Sequence, residues 1–207
     1  MNCKLIGSFV KHLEVELAPG EEFFAERGSM IYMEEGIELL SEFNGNSLTR
    51  ILGAKLSGES LMILRFVNRS HRPCRLVLGS NGGMIHLKLD GRQLICRRGA
   101  YVASSRKVNV TAQLSIAGLI GGMGALLQRV EGNATVFLAC LGDPIIIDLQ
   151  PGQSIRIDED HFLATDGIPE SRLSVKWSLQ NVIGGEGVSL LTAIGPGRVY
   201  LNPGKLV

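Results

Sequence analysis

The sequence predicts an all-β fold of three β-sandwich-like repeats around a pseudo-threefold axis, and three recurring phrases predict it. A strand-and-turn phrase appears as Leu17-Ala18-Pro19-Gly20-Glu21, then as Leu87-Lys88-Leu89-Asp90-Gly91-Arg92, then as Leu149-Gln150-Pro151-Gly152-Gln153. A second phrase follows at a constant step: Arg27-Gly28-Ser29-Met30-Ile31, Arg98-Gly99-Ala100-Tyr101-Val102 and Glu159-Asp160-His161-Phe162-Leu163. A third closes each unit, as Gly58-Glu59-Ser60-Leu61, Gly122-Met123-Gly124-Ala125 and Gly185-Glu186-Gly187-Val188. Self-similarity at a fixed period reports architecture before any local motif can be trusted.

The elements follow from pattern and punctuation. The Pro-Gly and Asp-Gly pairs are turn chemistry, proline presetting φ and glycine taking the left-handed position. Thr135-Val136-Phe137-Leu138 and Arg198-Val199-Tyr200-Leu201 are β-branched and aromatic strand runs, and Ser154-Ile155-Arg156-Ile157-Asp158 alternates as a half-buried strand does. Ile145-Ile146-Ile147 reads as a strand buried on both faces. Gly36 to Leu40 leaves room for a short helix. Gly124 to Val130 holds helix formers, but its counterpart Gly187 to Ala193 is poorer in them, so both are read as strands. Boundaries near Asn81-Gly82-Gly83 and Gly142-Asp143-Pro144 divide the chain into units at 1–80, 81–148 and 149–207, sharing one compact body. Units of this size only marginally bury a core alone.

Composition excludes several classes. With 207 residues, 45% hydrophobic and 20% charged, the chain is an ordinary globular one. A net charge of +1 argues against an electrostatically dominated partner such as duplex nucleic acid. Cys3, Cys74, Cys96 and Cys140 lack zinc or redox spacing and read as free thiols of a reducing compartment. The start has no signal-peptide core, and Ile116 to Leu127 is too short to span a bilayer, so the expected location is the cytoplasm.

The phrases Gly121-Gly122-Met123-Gly124, Val136-Phe137-Leu138, Leu149-Gln150-Pro151-Gly152-Gln153, Gly184-Gly185-Glu186-Gly187 and Gly195-Pro196-Gly197-Arg198-Val199 resemble the altered-inheritance-of-mitochondria family of mitochondrial biogenesis proteins. The resemblance spans nearly the whole chain. It implies a triplicated β fold similar to the ring-forming tryptophan-RNA attenuation protein and related to the double-stranded β-helix. It implies no known enzymatic activity, and its mitochondrial members are linked to inner-membrane organisation; no cofactor is expected. The middle unit departs from the pattern, with Met123 where the outer units carry Glu59 and Glu186.

Candidate chemistry is sparse. The glycines from Gly118 to Gly124 lack the Lys-Ser/Thr pair of a nucleotide loop and read as backbone turns. His12, His71, His86 and His161 occur singly, without the paired histidines of a cupin metal site. Gly79-Ser80-Asn81-Gly82 is no nucleophile elbow, and Asp158-Glu159-Asp160-His161 reads as a solvated turn. Glu59 and Glu186 recur in equivalent loops and are the candidate loop or ligand contacts. Arg69, Arg72 and Arg75, with Arg97, Arg98, Arg106 and Lys107, are the candidate nucleic-acid contacts, though few aromatics are interleaved to stack bases.

The reading is a non-enzymatic binding or assembly protein, self-associating as a homo-oligomer through sheet edges or a flat apolar face. The segment Ile116 to Leu127 is placed at that interface or at a membrane surface, and a protein partner is the other expected contact of the chain. The alternatives are a cupin-like enzyme handling a metal or small molecule near His86 or His161, and RNA binding through the arginines; nucleic acid is not the expected partner.

Overall fold

The computed structural model describes residues 1–43, 62–113, 127–178 and 188–204. Glu59, Glu186 and the glycine-rich segments at 116–126 and 184–187 lie outside the described residues. What is described is almost wholly antiparallel β-structure, with two single-turn 3-10 helices at Glu159–His161 and Glu170–Arg172. The protein is all-β.

The first stretch holds β1 (Asn2–Ile6), β2 (His12–Leu17), β3 (Glu22–Glu26), β4 (Met30–Met33), β5 (Ile37–Phe43), β6 (Met62–Asn68) and β7 (Cys74–Gly79). The second has β8 (Gly83–Arg97), β9 (Tyr101–Ser104), β10 (Asn109–Gln113) and β11 (Leu127–Cys140). The third holds β12 (Ile145–Leu149), β13 (Ser154–Asp158), β14 (Phe162–Asp166), β15 (Leu173–Ser178), β16 (Val188–Ile194) and β17 (Gly197–Leu201).

One order of pairing recurs in all three stretches. The strand before the first turn lies against the closing strand, as β2 with β7, the start of β8 with the end of β11, and β12 with β17. The closing strand also takes β4, β9 and β14 respectively. A second group joins β3 to β6, the end of β8 to the start of β11, and β13 to β16, flanked by β5, β10 and β15. The strands assemble into three sheets: β1-β2-β7-β4, a ten-stranded sheet running from β12 to β5, and β13-β16-β15.

The turn chemistry explains the outer stretches. Gly20 and Gly152 sit at φ 78° and 81°, the left-handed region that favours glycine. Glu21 and Gln153 then donate their backbone N–H to the carbonyls of Ala18 and Gln150, at 3.0 Å in both turns. Their side chains reach back to the N–H of the same two residues, at 2.8 Å each. Asp90-Gly91 keeps the left-handed glycine, with Gly91 at φ 75°, but makes no turn between strands. Here β8 runs on with one extra residue bulged out: its pairing with β11 passes from Gln93 with Glu131 to Asp90 with Asn133, so that Gly91 and Arg92 face Gly132 alone. The bulged strand bends instead of breaking.

Two further expectations are corrected. Residues 37–40 form no helix: a turn donates Ile37 N–H to the Glu34 carbonyl, and β5 then pairs along β6 from Ile37 with Asn68 onward. The isoleucine run of β12 is not buried on both faces. It is the outermost strand of the ten-stranded sheet, with Ile145 and Ile146 about half exposed.

Three apolar clusters hold the sheets together. One gathers Leu13, Leu17, Phe23, Phe66 and Leu78, with Phe23 tilted against Phe137 at a ring separation of 6.0 Å. A second joins Leu94, Tyr101, Val136, Leu138 and Ala164, so that residues of the second and third stretches share one core. The third packs Ile95, Phe162, Leu191 and Val199. Each such large apolar side chain contributes roughly 1.5–3 kcal/mol on burial.

Candidate functional site

β4, β9 and β14 occupy the same place in the pairing order, and the backbone treats them alike. The residue before each, or first in its turn, offers its carbonyl to the end of the closing strand or just beyond: Gly79 N–H donates to Ser29, Ala139 to Ala100 and Asn202 to His161, all at 2.7 Å. Their surroundings differ. Alongside β9 lies β3, with Phe24 opposite Ser104 and Ala25 opposite Ala103. Alongside β14 lies the end of β8, with Ile95 opposite Thr165 and Cys96 opposite Ala164. These two junctions have one register. Phe24 and Ile95 each stand four residues past their turn glycine, while Ser104 and Thr165 each stand five past the second recurring step, Gly99 and Asp160.

β4 has no such neighbour. Among the described residues it pairs only with β7. Met30, Ile31 and Tyr32 are 38%, 59% and 44% exposed, whereas Tyr101 and Ala103 of β9 are 1% and 0% exposed. Nothing in Met30-Ile31-Tyr32-Met33 guards the edge, since it carries neither lysine nor proline. Ile31 lies over Gly79, whose missing side chain leaves it room: a Cβ there would come within 2.9 Å of Ile31 Cδ1. The complementary strand type is free too. Among the described residues β13 pairs only with β16, leaving its other edge without a strand, with Ser154 and Arg156 exposed. Sequence reasoning missed β4 as a surface; its four consecutive large apolar residues, lacking a polar alternation, were the signal that could have found it.

The predicted Arg69, Arg72 and Arg75 are each met by acid or aromatic groups. Arg69 Nε donates to Glu38 at 2.8 Å, and Arg72 Nη1 to Glu34 at 3.1 Å. The backbone N–H of Arg75 donates to the same Glu34 carboxylate at 3.2 Å. Those contacts, the Arg75 amide foremost, hold the Glu34 carboxyl below the usual carboxylate range. The Arg75 guanidinium is held above its ordinary range, first by its hydrogen bond with Tyr32 and then by Glu14. The result is a mixed-charge rim along an apolar strand.

The histidines stay apart. His86 is exposed on β8, its ring 6.3 Å from Phe137, and His161 Nδ1 is hydrogen-bonded to the Asn202 carbonyl at 2.7 Å. Among the described residues no three His, Cys, Asp or Glu side chains are grouped to hold a metal ion. A cavity of about 280 Å³ lies where turns meet, lined by Arg27, Ser29, Ser80, Arg97, Arg98 and Asn202 among others. Its arginines are engaged: Arg97 Nη1 donates to the Asp160 carbonyl at 3.0 Å, and Arg27 and Arg98 have partners as well. All four cysteines are free thiols, and burial pushes Cys3 up to about 11 and Cys96 up to about 12. Among the described residues no helix is long and apolar enough to cross a membrane, which says nothing of strands.

Comparison with known proteins agrees with this all-β architecture. The chain is similar to the crystal structure of a Streptococcus pyogenes protein, at a TM-score of 0.73 and 25% identity, covering 99% of this chain and 94% of that one. It is 28% identical over 200 residues to an uncharacterized protein of Streptococcus pyogenes serotype M6, covering 92% of this chain and 80% of the relative. The family model described as Mitochondrial biogenesis AIM24 matches residues 3–204. The chain therefore belongs to the Mitochondrial biogenesis AIM24 family.

Proposed function

We propose that this chain is a non-enzymatic, self-associating β scaffold, built as three copies of one six-strand unit, that works as a homo-oligomer in the cytoplasm. One observation carries the reading: β4 exposes Met30, Ile31 and Tyr32, while the strands that hold its place in the other two stretches are covered. An unguarded apolar edge templates further pairing unless something covers it. The titratable groups support a structural role, since the arginines are met by carboxylates and the histidines do not converge. Four free thiols suit a reducing compartment.

Sedimentation velocity across the micromolar range tests this. The expected result is a species larger than one chain whose share grows with concentration. A single-chain species throughout would remove the assembly reading.

A further inference from the structure

Resting on that reading, we propose that the assembly forms head to tail: β4 of one copy pairs antiparallel with β13 of the next, in the register that joins the stretches inside the chain.

Among the described residues, the internal junctions leave one strand of each type without a partner. Each internal junction sets a strand of the β3 type against one of the β9 type, and the described residues contain three of each. Two of each are used, in β3 with β9 and in the end of β8 with β14. What remains is β4, of the β9 type, and β13, of the β3 type. These strands do not pair with each other in the described chain. Among the described residues each copy thus offers one edge of each kind, a heterologous contact that propagates into a ring or a filament.

The two internal junctions predict the register of the third. In both, the residue four past the turn glycine faces the residue five past the second step. The same rule sets Arg156 of one copy opposite Met33 of the next, and Ile157 opposite Tyr32. Two features fit that placement. Arg156 directly opposite Met33 would lay its aliphatic stem along an apolar side chain across antiparallel strands. Ile157 is already buried against its own core, so Tyr32 would extend an apolar layer.

Engineered cysteines test this in the full chain carrying Cys3→Ser. Met33→Cys with Arg156→Cys puts the two thiols face to face across the predicted junction. Tyr32→Cys with Arg156→Cys is one residue out of register and puts them on opposite faces. Under mild oxidation, the first pair is expected to give a ladder of covalently linked chains on non-reducing gels, and the second to remain single chains. As a second arrangement, single-cysteine Met33→Cys and Arg156→Cys chains mixed together should give linked dimers. Thiol loss at single-chain mass would mean that β4 and β13 close within one chain, overturning a second copy as the partner. Equal cross-linking by both pairs would overturn the register. If no pair links while native mass spectrometry still shows oligomers, this edge pairing fails and the assembly reading stands; if the protein is also monomeric, both fail.

Discussion

β9 and β4 are the instructive pair. Both are four-residue strands that follow a glycine turn and lie against a closing strand, yet β9 is wholly buried and β4 is largely bare. The difference lies in the neighbour. β3 runs along β9 and seals it, and among the described residues nothing equivalent runs along β4. Burial here is a property of the junction and not of the strand, so the two should respond very differently to the same kind of change.

The largest effect is expected at the sealed junction. Ala103→Asp would place a carboxylate at a fully buried site between β3 and β9, costing roughly 3 kcal/mol or more. A urea melt should show much or all of the stability gone.

The alkaline limb tests the sealed core by another route. Burial raises the thiols of Cys96 and Cys3, from the ordinary 9.0 to about 12 and about 11. The unfolded chain ionises first, so their contribution is complete below pH 9.0 and is lost as pH climbs towards those values. Urea melts at neutral and alkaline pH should show falling stability, with a shallower fall in Cys96→Ala.

A mid-sized effect is expected at Asn68, which is fully buried where β6 turns towards β7. Its amide donates to the carbonyls of Leu17 and Arg72, each at 2.8 Å, and its oxygen accepts from the Ser70 N–H at 2.9 Å. Asn68→Leu leaves those groups unpaired and should cost about 2 kcal/mol by thermal or urea melting. In the third stretch the corresponding corner is made differently, with a cis Gly195-Pro196 bond and Arg172 Nη1 donating to the Gly195 carbonyl at 2.9 Å.

The smallest stability change is expected on the bare strand. Tyr32→Lys should alter chain stability by no more than about 0.5 kcal/mol, since the site is exposed. It should nonetheless abolish assembly, by placing a hydrated charge where the next copy would pack.

Much of the fold was legible because its determinants are local. The Pro-Gly turns at Gly20 and Gly152, the alternating strand at Ser154 to Asp158 and the family phrases all act within a few residues, and the all-β class followed. The misreadings came where a partner strand decides. Asp90-Gly91 has turn chemistry, but continued pairing with β11, about forty residues on, absorbs it as a bulge in β8 and keeps the strand running. The isoleucines of β12 look like a core strand, but their position at the sheet's edge leaves two of them open. The candidate site was less legible still. Tyr32 and Tyr101 cannot be told apart as surface and core from their own neighbourhoods, and the acids facing Arg69 and Arg72 come from a different hairpin. Glu59 and Glu186, singled out because they recur, lie outside the described residues.

The most direct measurement is sedimentation velocity of the natural chain beside Tyr32→Lys, over one micromolar concentration series. Assembly through the bare β4 edge predicts concentration-dependent oligomers for the first, single chains for the second, and matching far-UV circular dichroism spectra. A natural chain that stays single throughout, or a Tyr32→Lys chain that assembles as well as its parent, would contradict it.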